Sequence, residues 1–159
     1  MILCLVGTNP YDFSRLVKKL DEIAFELNIP IVIQTGNTKY KPLNCEYFSF
    51  KPKDAVKCIM QKSELIVSQG GYGSMTDAIM QNKKLIAVPR LIEMKESQDN
   101  QVELVEYFES KGYLKACYNI EKLEEIIKQT LANRFTFNKY ERETDIKVSN
   151  IIKDYLDEI

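Results

Sequence analysis

Histidine does not occur anywhere in this chain of 159 residues. Its absence removes the side chain most often used as a general base near neutral pH. No serine–histidine or cysteine–histidine nucleophile pair can be assembled, so any base that an activity requires is a carboxylate of this chain or belongs to another subunit. Cysteine is scarce and scattered: Cys4, Cys45, Cys58 and Cys117 form no C-x-x-C pair, which argues against a metal site or a disulfide framework. Cys4 and Cys117 sit in apolar, strand-like runs, where cysteine behaves as a small hydrophobe. An excess of either charge is missing too. Against 22 Lys and Arg stand 23 Asp and Glu, a net charge of -1, so the basic surplus of a general nucleic-acid binder is absent. No apolar run reaches the roughly 18 residues of a membrane span, and Met1-Ile2-Leu3-Cys4-Leu5-Val6 carries no basic leader. The expectation is a cytoplasmic protein that docks on a membrane partner rather than crossing the bilayer. Internal repeats and low-complexity tracts are likewise absent.

What is present is an ordinary globular composition, 45% hydrophobic and 28% charged, at a length that suits one domain and hardly two. Apolar runs of strand length alternate with segments of helical period. Strands are predicted at Ile2–Val6, Ile31–Thr35, Glu46–Phe50, Leu65–Ser68, Leu85–Val88 and Leu114–Tyr118. Between them, Asp12 is expected to cap a helix whose stripe is Phe13, Leu16, Val17, Leu20, Ile23, Ala24 and Leu27. Further helices are expected over about Asp54–Gln61, from about Ser74 to Gln81, along the stripe Gln101, Leu104, Val105 and Phe108 with Gly112 as C-cap, and along Leu123, Ile126, Ile127, Thr130 and Leu131. Near-continuous apolar strands alternating with helices predict an α/β fold, a Rossmann-like doubly wound parallel sheet. Residues 1–132 form this expected domain. Residues 133–159 read as a connector and a C-terminal amphipathic helix, striped by Val148, Ile151, Ile152, Tyr155, Leu156 and Ile159, that packs on its own domain or on a partner.

Ligands of a doubly wound sheet bind outside the carboxyl ends of the strands, where strand order reverses. The residues that fall there are small or hydrogen-bonding: Gly7-Thr8-Asn9, Gly36-Asn37, Gln69-Gly70-Gly71-Tyr72-Gly73-Ser74, Pro89-Arg90 and Asp99-Asn100-Gln101. In the glycine loop the backbone can approach an anion closely, and the following helix offers unpaired N–H groups and the positive end of its dipole. The pattern is neither G-x-G-x-x-G nor G-x-x-x-x-G-K-[ST], so the usual dinucleotide and P-loop readings fail. Asp77, three residues beyond Ser74, is either a solvated carboxylate or an acceptor for ribose hydroxyls. Gln101 continues a core-facing stripe beyond the core, so it is either buried and satisfied or aimed into the crevice, and the crevice is the expectation. Arg90 is either a phosphate contact or a surface arginine. Lys51 follows a strand end.

Taken together and in order, Val6-Gly7-Thr8-Asn9, Ser68-Gln69-Gly70-Gly71-Tyr72-Gly73-Ser74 with Asp77-Ala78, Val88-Pro89-Arg90 and Asp99-Asn100-Gln101-Val102-Glu103-Leu104 resemble the C-terminal domain of glycosyltransferase family 28. Within it the chain is similar to the stand-alone catalytic subunits of split glycosyltransferases, those acting on dolichol diphosphate or in bacterial capsule and exopolysaccharide synthesis. The resemblance implies the equivalent of the C-terminal half of a GT-B enzyme that binds a UDP-sugar and inverts the anomeric centre. By position, Gly70, Gly71, Gly73 and Ser74 would cradle the diphosphate and Thr8 would lie near the phosphates, with Asn9, Tyr72 and Arg90 counted among the UDP-sugar-binding residues. Asp77 would take the ribose, the Phe50–Lys51 strand end would flank uracil, and Asp99, Asn100 and Gln101 would read the sugar hydroxyls. Family members often carry Glu at the position of Asp77, His at that of Asn100, and His or Ala at those of Gln69 and Tyr72.

No D-x-D motif is present, so the implied transfer uses UDP-sugar as donor with no metal and no cofactor. The implied partners are a membrane-anchored acceptor-binding subunit, which would bring the general base, and a lipid-linked sugar acceptor. Nucleic acid is not among them. The alternative is a non-catalytic nucleotide-binding or regulatory domain of the same fold. A phosphoacceptor receiver is disfavoured because Cys4-Leu5-Val6-Gly7 lacks paired acids.

Overall fold

In this computed structural model residues 1–141 are described. Six parallel strands, β1 (Ile2–Leu5), β2 (Ile31–Gln34), β3 (Glu46–Phe48), β4 (Leu65–Gln69), β5 (Lys84–Val88) and β6 (Lys115–Ala116), form one sheet in the order β3-β2-β1-β4-β5-β6. Every residue of β1 and β4 is buried, which is why β1 is an unbroken apolar run and β4 is one as far as Val67, before Ser68 and Gln69 close it. β1 pairs with both β2 and β4, Leu3 standing level with Val32 on one side and Ile66 on the other. The winding reverses between β1 and β4, so the switch-point crevice opens there.

Among the described residues five α-helices cover the two faces: α1 (Ser14–Leu27), α2 (Lys53–Lys62), α3 (Tyr72–Met80), α4 (Gln101–Ser110) and α5 (Leu123–Leu131). One core joins Leu16, Val17, Leu20 and Ile23 of α1 and Leu123 and Ile127 of α5 to Cys4, Ile33, Val67 and Ile86. The other joins Met60 of α2, Met75, Ala78 and Ile79 of α3 and Val105 of α4 to Leu3, Ile66 and Leu85. The expected layering, with helices on both faces, is therefore the observed one. Cys4 and Cys117 are buried, as expected.

Three expectations are corrected. Asp12 does not cap α1, whose N-cap is Phe13 with no side-chain bond. The Asp12 carboxylate instead accepts the Ser14 hydroxyl and the Lys39 N–H, each at 2.8 Å, tying the segment after β2 to the start of α1. Helix α3 begins two residues before Ser74, because Gly71 takes the extended N-cap conformation (φ -83°, ψ 137°). The stretch after α5 is fastened to the domain rather than merely linking: Asn138 donates its backbone N–H to the Gly112 carbonyl, and Tyr140 donates its own to Asn82 Oδ1, both at 2.8 Å. The stripe Val148 to Ile159 lies outside the described residues.

Candidate functional site

Four buried polar side chains stitch together the loops at the carboxyl edge. Gln34, the last residue of β2, accepts the Gly7 N–H through Oε1 and donates from Nε2 to the Gly7 carbonyl, at 3.3 and 3.2 Å. Gln69, the last residue of β4, accepts from Arg90 Nε at 2.6 Å. Arg90 also donates to the carbonyls of Val6, Tyr11, Asp12 and Glu96, at 2.9, 3.1, 3.3 and 3.0 Å, and its guanidinium lies 4.4 Å over the Phe13 ring. Gln101 Oε1 accepts the Arg90 backbone N–H at 3.0 Å. The loops after β1, β2, β4 and β5 are thereby held in one rigid frame, since each of these polar groups would be costly to bury unpaired.

Two residues stand otherwise than the sequence suggested. Arg90 is neither a phosphate contact nor a surface arginine: it is 1% exposed and spends its guanidinium on the protein's own carbonyls. Burial lowers its pKa to about 10, with Glu96 and Asp12 opposing that, so it stays charged at neutral pH. Gln101 adopts the buried alternative, 9% exposed, with its oxygen bonded. It forms the floor beneath Gly70, where an added Cβ would come 2.9 Å from Gln101 Cβ and 2.8 Å from Val105. A second brace stands beside the frame. Arg15 grips Glu96 by two bonds of 2.9 Å and donates to the Pro89 carbonyl at 3.0 Å, while Glu96 accepts the Leu91 N–H.

Within this frame the glycine loop opens α3. The first helical bond runs from the Met75 N–H to the Gly71 carbonyl, so the N–H groups of Tyr72, Gly73 and Ser74 precede it and have no intrahelical acceptor. No acidic residue and no side-chain cap neutralises this end, and the dipole's positive pole is left for a ligand. Gly70 and Gly71 are explained internally, the latter because a Cβ would come 2.8 Å from the Gln69 amide nitrogen. Gly73 is not: a Cβ there meets nothing within 4 Å. A helical glycine costs about 0.5–1 kcal/mol relative to alanine, and packing gives this one no reason to exist.

A cavity of about 550 Å³ lies between α2 and α3, lined by Lys53, Val56, Met60, Asp77 and Met80 among others and beginning one turn beyond the glycine loop. Asp77, partly exposed, faces Lys53 at 3.6 Å. Thr8 is exposed beside Gly7, and Asn9 turns its Oδ1 back onto the Tyr11 N–H. Phe50 is exposed and Lys51 sits 5.1 Å over the Phe48 ring. They follow β3, about 14 Å of sheet away from β4, and the chain then crosses to Lys53 beside Asp77. Tyr72 projects outward, its ring 6.4 Å from that of Phe108. Asp99 is exposed. Asn100 is occupied as the N-cap of α4, its Oδ1 accepting the Val102 N–H at 3.0 Å and its Nδ2 donating to the Glu103 carboxylate at 3.2 Å. Burial raises the Asp12 carboxyl, but the Lys39 N–H and the Ser14 hydroxyl outweigh it and hold the group below its ordinary value.

Sequence reading missed Gln34, Gln69, Glu96 and Arg15 as the frame of the site. The available signal was a glutamine terminating an otherwise apolar strand, which occurs in both Ile31–Gln34 and Leu65–Gln69.

Comparison with known proteins follows the same line. The family model for the glycosyltransferase family 28 C-terminal domain matches residues 1–155. The UDP-N-acetylglucosamine transferase subunit ALG13 of Homo sapiens is 27% identical over 126 residues, covering 73% of this chain and 11% of that protein. The chain thus spans about a tenth of the length of the curated relatives it matches. Among solved structures, MurG of Acinetobacter baumannii superposes with a TM-score of 0.59 at 18% identity, over 82% of this chain and 40% of that one. An NMR solution structure of ALG13 superposes with a TM-score of 0.55 at 17% identity, over 86% and 87%. The fold is that of one Rossmann-like half of a GT-B glycosyltransferase.

Proposed function

The chain belongs to the glycosyltransferase family 28 C-terminal domain family, and on that premise we propose that its carboxyl-edge crevice holds the UDP-sugar donor of an inverting glycosyltransferase. The observation that carries this reading is the uncapped start of α3, with three N–H groups lacking helical partners around a glycine that no internal contact requires. The diphosphate lies against Gly71, Tyr72, Gly73 and Ser74, with Thr8 and Asn9 across the crevice. The nucleoside extends into the cavity between α2 and α3, the ribose towards Asp77 and the uracil towards Lys53 and the segment after β3 that carries Phe50 and Lys51. Asp99 lies towards the sugar, whereas Gln101 is the buried floor beneath Gly70 and Asn100 serves α4 first.

In the transfer, an acceptor hydroxyl oxygen attacks the anomeric carbon from the face opposite UDP, the bond from that carbon to the diphosphate oxygen breaks, and configuration inverts. Charge accumulates on the leaving diphosphate, where fixed N–H groups and the helix dipole stabilise it without reorganising. The proton of the acceptor hydroxyl goes to a base. With no histidine in the chain and the Asp12 carboxylate made a weaker proton acceptor by its hydrogen bonds, this reading assigns the base to a partner subunit carrying the acceptor site. The name of the human relative, a transferase subunit, supports a partnered enzyme. The acceptor in this reading is a lipid-linked sugar for polysaccharide or glycan synthesis. No helix among the described residues is long and apolar enough to cross a membrane, so a membrane-anchored partner would hold the chain at the cytoplasmic face.

The test is transfer from radiolabelled UDP-sugar to a polyprenyl-diphosphate-linked acceptor, with the purified chain alone and with membranes carrying the partner. Transfer only in the second case is expected, and it should persist in EDTA. Full transfer by the chain alone overturns the divided site. Equal binding of UDP, ADP and GDP, with no transfer in either case, favours a regulatory nucleotide-binding domain.

A further inference from the structure

Gln69 is 7% exposed, yet the two ends of its amide are in different situations. Oε1 accepts the Arg90 Nε–H at 2.6 Å. Nε2 donates to nothing among the described residues. It lies between two glycines: a Cβ on Gly7 would fall 1.9 Å from it and a Cβ on Gly71 2.8 Å from it. Those glycines belong to the loops after β1 and β4, the strands between which the winding reverses. A donor with two protons and no protein acceptor therefore stands at the floor of the switch-point crevice, its nitrogen open to an arriving acceptor.

Which end of the amide faces the crevice is decided by Arg90. A guanidinium only donates, so a flipped Gln69 would set its NH2 against the Arg90 N–H, lose the bond and turn an oxygen towards the ligand. Arg90 has no freedom to follow such a flip, being fixed by the Val6, Tyr11, Asp12 and Glu96 carbonyls and seated on the Phe13 ring. We propose that Arg90 is a positioning residue acting through Gln69, holding the amide so that Nε2 donates to an oxyanion of the ligand. This rests on the donor-site reading above, in which that oxyanion is an oxygen of the UDP diphosphate. The arrangement also selects against ligands that present a donor at this point, since the end of the Gln69 amide turned to the crevice only donates.

Gln69→Glu separates this role from a purely structural one. A glutamate keeps the length of the side chain and an acceptor for Arg90, now as an ion pair, but presents a carboxylate oxygen to the crevice. Calorimetry on the full chain is expected to show UDP binding weakened by a factor of about 10–100, the loss of one hydrogen bond to a charged group, with uridine affinity within twofold and the melting temperature not lowered. A folded Q69E chain that binds UDP like the wild type overturns the proposal. Should Q69E not fold, the wild-type chain answers directly: with 15N-labelled glutamine, the Gln69 side-chain NH2 resonances should shift with UDP and stay in place with uridine. UDP binding that leaves them unmoved overturns the proposal alone. A wild-type chain that binds no UDP removes the donor-site reading, and this inference with it.

Discussion

Alanine in place of Gly73 separates folding from binding, because the structure predicts opposite signs for the two. The added methyl meets no atom within 4 Å, and the position is helical, so the substitution removes the entropy cost of a helical glycine without strain. The gain is about 0.5–1 kcal/mol, which in a domain of this size raises the melting temperature by about 1–4 °C. The same methyl stands where the diphosphate must approach the N–H groups of Tyr72, Gly73 and Ser74. Losing one charge-assisted hydrogen bond there costs about 1.5–3 kcal/mol, a 10- to 100-fold weaker UDP. Thermal melting by circular dichroism and calorimetric titration with UDP, on one preparation, read both effects. Gly7→Ala is the contrast: with φ at +78° and the Gln69 amide 1.9 Å from its Cβ, it should lose stability as well as binding. A G73A chain that binds UDP as tightly as the wild type would refute the reasoning, and so would one that melts lower, because Gly73 would then be serving the fold.

Asp77→Ala should weaken UDP and uridine by the same factor, about tenfold in titration calorimetry, because the lost acceptor faces the ribose. It should change stability by under about 0.5 kcal/mol, since its ion pair with the 80% exposed Lys53 is weak. Asp21 is 2% exposed and accepts the N–H groups of Leu43 and Asn44 and the Tyr40 hydroxyl. Burial raises its carboxyl, but these donors outweigh that and lower it. Its contribution is thus complete above the unfolded value near 4 and is lost as pH falls through the lower folded value. Urea titrations at pH 7 and pH 3 should therefore show Asp21→Asn costing about 2–3 kcal/mol at the higher pH and less at the lower one. Arg15→Ala leaves Glu96 buried with one partner fewer and should cost about 3 kcal/mol by denaturant unfolding, more than Arg15→Lys.

The sheet was legible because its central strands are buried on both faces, so β1 and the first three residues of β4 read as continuous apolar runs. The edge carrying the glycine loop followed from strand polarity alone. The start of α3 was misjudged by two residues, because an extended Gly71 can serve as N-cap without the side chain that signals one. Arg90 defeated sequence reading for a different reason. Its partners run from Val6 to Glu96, and no local pattern distinguishes an arginine that folds into such a frame from one at the surface. Asn100 caps α4, and its spacing to Glu103 is the Asn-x-x-Glu signature of a helix start.

The central claim is that UDP binds where α3 begins. Backbone amide shifts of the 15N-labelled full chain, mapped during a UDP titration, test it most directly. The account predicts that the largest shifts fall on Gly71 to Ser74, on Gly7 to Asn9 across the crevice, and on Lys53 and Asp77 along the cavity, with ADP and GDP producing far weaker effects. Saturable UDP binding whose shifts fall on α1 and α5, on the opposite face of the sheet, would contradict it.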